Sequence, residues 1–141
     1  MKRSATANWK GSGKEGKGTV TADSGIFSGT AISYHTRFEE AKGTSPEELV
    51  AAAHAGCFSM KLSFVLGAAG FTPDNIDTKC TITLESGAIT ESHLEVKASV
   101  PNIDEAKFNA CIEEAKTNCP ISKLFNTKIT ADAKLDQAIH A

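Results

Sequence analysis

The sequence is poor in arginine, in ring-bearing residues other than phenylalanine, and in any excess of charge. Its 141 residues hold 15 lysines and arginines against 17 aspartates and glutamates, a formal net charge of −2. With no basic block, nucleic acid and anionic membrane surfaces are excluded as natural partners. The four cysteines, at positions 57, 80, 111 and 119, form no CxxC or other paired spacing. His35, His54, His93 and His140 add no metal spacing either, so no zinc site is expected. No flavin or haem motif is present, so no cofactor is expected and any chemistry must rest on sulfur. Met1-Lys2-Arg3-Ser4 turns polar through Thr6, Asn8 and Lys10 with no apolar stretch behind it, so no secretory leader is expected there. That reading makes the protein cytoplasmic, where thiols stay reduced. One apolar run, 49–69, is long enough to suggest a membrane span. His54 and Lys61 within it argue against insertion, since a charge at mid-bilayer costs about 3 kcal/mol. A buried core helix is expected instead, and no membrane partner.

What is present suits one α+β domain with mostly antiparallel sheet. Ala5 to Lys10, Lys17 to Asp23 and Thr30 to Thr36 read as short strands separated by glycine-rich breaks. Ser45-Pro46-Glu47-Glu48 places a capping serine, a proline at the first helical position and a glutamate three residues after the cap. The helix it opens can run to Ala69, with Gly70 as its stop. It is apolar on most of its circumference, so it needs cover all round, which favours a dimer in which such helices pack together. Two alternating strands follow. Ile76, Thr78, Cys80, Ile82 and Leu84 share a face of the first, and Leu94, Val96, Ala98 and Val100 a face of the second. A helix from about Asp104, a short helix opened by Cys119-Pro120, and a strand from Lys128 to Leu135 complete the chain.

Periodicity sorts the thiols. Cys80 and Cys111 fall on apolar faces and read as small core residues. Cys119 precedes a proline at a helix start, where unpaired backbone N–H groups favour a thiolate. Cys57 shares a helical stripe with Glu47, Val50, His54 and Lys61. A carboxylate in such a file wants a cation, because buried unpaired charge is costly. The chain offers two arginines, Arg3 near the terminus and Arg37 in Thr36-Arg37-Phe38-Glu39. Arg37 is therefore the natural partner for Glu47, either as a structural ion pair or as an activator of Cys57. His54 stands three residues before Cys57, but side chains at that spacing project side by side, which favours a satisfied core histidine over a Cys–His base.

Thr36-Arg37-Phe38-Glu39, Gly43-Thr44-Ser45-Pro46-Glu47-Glu48-Leu49, Ala53-His54-Ala55-Gly56-Cys57-Phe58-Ser59-Met60 and Asn118-Cys119-Pro120-Ile121-Ser122 together resemble the OsmC/Ohr family of thiol peroxidases, on its OsmC branch. The similarity spans nearly all of residues 1–141 as a single OsmC-like domain. It implies an intertwined α+β homodimer with long central helices. It also implies that Cys57 is the peroxidatic cysteine, Cys119 the resolving one, Arg37 the activating cation and Glu47 its carboxylate partner. Gly56 departs from the more usual alanine, so something is expected to pack closely against it. The implied reaction reduces organic hydroperoxides, and hydrogen peroxide more weakly, through a Cys57 sulfenate and a Cys57–Cys119 disulfide. An external dithiol, such as a lipoylated protein, would reset it, and the role would be defence against oxidative or osmotic stress. Phe38, Phe58, Leu124 and Phe125 flank these residues and are candidates for an apolar entrance. Two rivals remain: a non-catalytic homodimer binding a small apolar ligand, and a hydrolase using Cys57 and His54.

Overall fold

The computed structural model describes residues 1–39 and 42–136, so His140 lies outside the described residues. The chain divides into two compact units, Met1–Leu49 and Val50–Ala141. The first unit holds an antiparallel sheet of β1 (Ala5–Lys10), β2 (Lys17–Ala22) and β3 (Thr30–Ile32), in that order. The strand expected to run to Thr36 stops at Ile32. Ser33 instead opens a short helix, α1 (Tyr34–Phe38), with a reciprocal cap. The Thr36 amide donates to Ser33 Oγ at 3.1 Å, and the Ser33 amide donates to Thr36 Oγ1 at 2.6 Å. A hydroxyl pair three residues apart outcompetes the local strand tendency of this run.

The long helix α2 (Pro46–Ala68) begins in the first unit and continues into the second. Ser45 caps it by accepting from the Glu48 amide at 3.1 Å. Gly70, at φ +94°, turns the chain out of the helix in a conformation that a side chain would resist. The rest of the second unit is β4 (Asn75–Glu85), β5 (Ala88–Ser99), α3 (Glu105–Asn118), α4 (Pro120–Leu124) and β6 (Lys128–Leu135). Strands β4 and β5 form a hairpin across Ser86-Gly87, both at positive φ, as a two-residue turn matched to strand twist demands. Strand β6 pairs with β5 in parallel, so the sheet order is β4-β5-β6 and the sheet is mixed. A parallel neighbour requires a crossover, and α3 with α4 supplies it.

The core of this unit joins Phe58, Leu62, Val65 and Leu66 of α2 to Leu94, Val96, Ala98 and Val100 along the sheet. Phe108, Cys111, Ile112 and Ala115 of α3 join them. The expected two-residue alternation therefore appears along β4 and β5.

Helix α2 has the length and composition to cross a membrane, with a mean hydropathy of 1.5 over its most apolar stretch. Its buried residues nevertheless belong to the core just described. Among the described residues, the expected all-round cover is incomplete, since Met60 and Phe64 are 67% and 73% exposed. Gly56 lies on this open side, and among the described residues nothing beyond its chain neighbours and its own helix backbone would lie within 4 Å of a Cβ added there. The expected close packing against Gly56 is thus not made within a single copy.

Candidate active site

Cys57 sits midway along α2 and is half-buried, while Cys119 is wholly buried at the junction of α3 and α4. Cys119 serves both helices. Its amide closes α3 on Ala115 O at 3.0 Å, and its sulfur accepts from the Ser122 amide at 3.4 Å to cap α4. Pro120 at the first position of α4 fixes a helical φ where no N–H is needed. The break between the helices thus brings the Cys119 sulfur and the Ile121 backbone close enough to Cys57 to act on its pKa. Both thiols are free.

Burial is the largest influence on Cys57 and raises its pKa. The Ile121 amide opposes this, the neighbouring Cys119 reinforces it, and the Lys61 ammonium one turn along α2 pulls the other way. Within the second unit, then, Cys57 has a hydrogen-bond donor and a cation at hand, but not enough of either to offset burial.

His54 is fully buried and bonded at both ring nitrogens. Nδ1 lies 2.6 Å from Ser92 Oγ of β5, and Nε2 lies 2.8 Å from Ser122 Oγ of α4. Phe125 closes over the ring edge-on at 5.0 Å between centroids. Ser122 Oγ in turn lies 3.1 Å from Cys119 Sγ, and Ser92 Oγ lies 3.2 Å from Cys80 Sγ. A continuous polar file therefore runs from Cys80 through Ser92, His54 and Ser122 to Cys119. With no charged partner on the ring, burial lowers the His54 pKa.

In the first unit, Arg37 of α1 grips Glu47 of α2 with a two-pronged fork. Nε donates to Oε1 at 2.9 Å and Nη2 donates to Oε2 at 2.8 Å. The bond to Glu47 raises the Arg37 pKa further, so the guanidinium stays charged. Arg37 also faces the Phe38 ring at 5.3 Å and lies on a cleft of about 260 Å³ with Trp9, Ile32, Tyr34 and Pro46.

The structure thus brings Cys57 to Cys119 and, separately, Arg37 to Glu47. His54 is the satisfied, buried histidine that its spacing favoured, with bonds to Ser92 and, through Ser122, a link to Cys119. Ser92 and Ser122 were the site residues missed. Their signals were a hydroxyl two residues before Leu94 on the core-facing side of β5, and a serine three residues after the capping Cys119. Phe58, finally, is wholly buried in the core and lines no entrance, whereas Phe38 and Leu124 are exposed. Cys111 is core as expected, while Cys80 is only half-buried and belongs to the polar file.

Among known proteins, the OsmC-like protein family model matches residues 39–134. The chain is 47% identical over 133 residues to peroxiredoxin OsmC of Escherichia coli K12, covering 92% of this chain and 93% of that protein. It is 26% identical over 121 residues to organic hydroperoxide resistance protein OhrB of Bacillus subtilis 168, covering 84% and 88%. The fold is similar to the crystal structure of an OsmC-like protein from Mycoplasma pneumoniae, with a TM-score of 0.75 at 16% identity over 96% of this chain and 97% of that one. With a family model over residues 39–134 and 47% identity over most of both chains, the chain belongs to the OsmC-like protein family.

Proposed function

We propose that this chain is a thiol-dependent peroxidase that reduces organic hydroperoxides, and hydrogen peroxide more weakly, in defence against oxidative or osmotic stress. The carrying observation is the placement of two thiols, Cys57 midway along α2 and the buried Cys119 at the break between α3 and α4, near enough for Cys119 to raise the Cys57 pKa. In the first step the Cys57 thiolate attacks the distal peroxide oxygen. An S–O bond forms, the O–O bond breaks, and the departing alkoxide takes a proton and leaves as alcohol. Cys119 then attacks the sulfur of the Cys57 sulfenic acid, forming an S–S bond and releasing water. An external dithiol, such as a lipoylated protein, reduces the bridge and becomes a disulfide itself.

Arg37 is the proposed cation for both the Cys57 thiolate and the developing alkoxide, with Glu47 fixing its orientation. A half-buried thiol whose pKa is raised by burial is in need of such a charge, and the two-pronged fork holds the guanidinium in one orientation. The working form is read as a homodimer. The exposed side of α2, with Gly56, Met60 and Phe64, offers small and apolar surface on which the same helix of a second copy can pack. Four free thiols suit the reducing cytoplasm, where the reading locates the protein.

The test is a non-reducing peptide map after one equivalent of cumene hydroperoxide. A Cys57–Cys119 bridge with Cys80 and Cys111 still free is the expected result. If all four thiols stay reduced, the reading fails, and a homodimer that binds a small apolar ligand replaces it.

A further inference from the structure

The proposed chemistry assigns work to two thiols and leaves His54 without any, although it is the ionisable group most completely enclosed beside them. A fully buried imidazole with a hydroxyl on each nitrogen is more than core packing requires. One arrangement of protons satisfies the whole file. Nδ1–H donates to Ser92 Oγ, the Ser92 hydroxyl donates to Cys80 Sγ, and Nε2 is left to accept from the Ser122 hydroxyl. Ser122 Oγ then accepts from the Cys119 thiol. The thiol proton has a path of two short hydrogen bonds to a ring nitrogen.

We infer that His54 is a positioning residue for the resolving step, drawing the proton of the Cys119 thiol through Ser122 as that sulfur attacks the Cys57 sulfenic acid. The inference rests on the peroxidase reading above. As the S–S bond forms, Cys119 S–H gives its proton to Ser122 Oγ, and Ser122 passes its own to His54 Nε2. The S–O bond of Cys57 breaks and the expelled hydroxide takes up a proton to leave as water. His54 then gives up the proton it gained, so no net proton is consumed. Burial keeps the imidazole neutral near neutral pH, which leaves Nε2 free to accept. The groups facing the ring are Ser92 of β5, Ser122 of α4 and Phe125 just beyond it. Cys80 of β4 lies 3.9 Å from Nδ1. No carboxylate or cation bonds the ring among the described residues.

The experiment follows two events in the wild type, His54→Gln and Ser122→Ala after one equivalent of cumene hydroperoxide, at pH 7 and pH 9. Dimedone capture reports the Cys57 sulfenic acid, and non-reducing peptide mapping reports the Cys57–Cys119 bridge. Glutamine can bond both serines but cannot take a proton. Alanine cuts the path while leaving the Ser122 amide to cap α4. Both variants should form sulfenic acid at the wild-type rate at pH 7 and close the bridge about 100-fold more slowly, within the range for lost acid–base assistance. At pH 9, where hydroxide is more abundant and can stand in as the proton acceptor, most of the deficit should disappear. A wild-type rate of bridge formation in either variant overturns the inference, as does slowing that is equal at both pH values. If His54→Gln does not fold, Ser122→Ala decides alone. If the wild type makes no bridge, the peroxidase reading itself has failed and this inference falls with it.

Discussion

Arg37 and Glu47 show how much a side chain's geometry adds to its charge. A lysine at position 37 would keep the charge but replace a planar fork bonded at two points with a single point donor. Arg37→Lys should therefore slow sulfenic acid formation by roughly tenfold or more, since losing one well-aimed donor to a developing oxyanion costs at least that much. Stopped-flow measurement of peroxide consumption checks it, and an unchanged rate constant removes Arg37 from the mechanism.

His54 carries a stability prediction of its own. Its pKa is lowered by burial in the folded state, so the unfolded chain binds the proton more readily. Stability from this residue is fully present above about pH 6.5, the ordinary value, and is lost as pH falls from there through the lowered folded-state pKa. Urea midpoints should fall between pH 7.5 and pH 5.5 in the wild type, and fall less in His54→Gln. The residue scale was legible wherever one position sufficed: the cysteine before a proline, or the lone interior arginine near a lone carboxylate file. For His54 the satisfied, buried state was legible but the partners were not, because they come from β5 and α4, which periodicity along α2 cannot see.

At the scale of elements, punctuation decided what the chain revealed. Ser45-Pro46 and Gly70 bracket α2, Asp104 caps α3 by accepting from the Lys107 amide at 2.7 Å, and each was readable because one residue type does one local job. Helix α1 escaped because its cap uses Ser33 and Thr36, both residues that also suit strands. The parallel setting of β6 escaped as well, since an alternating pattern carries no direction. Gly70→Ala tests the bracketing. No atom lies within 4 Å of the added Cβ, so only the positive φ opposes it. The variant should lose about 1 kcal/mol or slightly more in urea denaturation. A loss near zero would mean that the turn relaxes freely.

For the whole molecule, the decisive feature is the exposed side of α2 that carries Met60 and Phe64. An apolar helix face gains stability when it is covered, and under the homodimer reading a second copy supplies the cover. Phe64→Glu places a charge in the middle of that side. Under the homodimer reading it should convert two-chain particles into single chains at micromolar concentration by analytical ultracentrifugation. Unchanged mass would exclude this side of α2 from the contact. The need for cover was visible in composition; which side stayed bare depended on where the sheet lay, which composition does not encode.

The parallel pairing of β5 with β6 also sets an order of assembly. The β4–β5 hairpin closes over two residues, but Glu91 must find Lys128 across the entire segment that carries α3, Cys119 and α4. Short closures form early and distant ones late, because the entropy of the intervening chain must be lost before any contact compensates it. Newly made chains should therefore spend their first moments with Cys119 untethered from Cys57. On that order the thiol pair should form late in folding, so refolding in the presence of an oxidant should give more mispaired disulfides than oxidation of the folded chain.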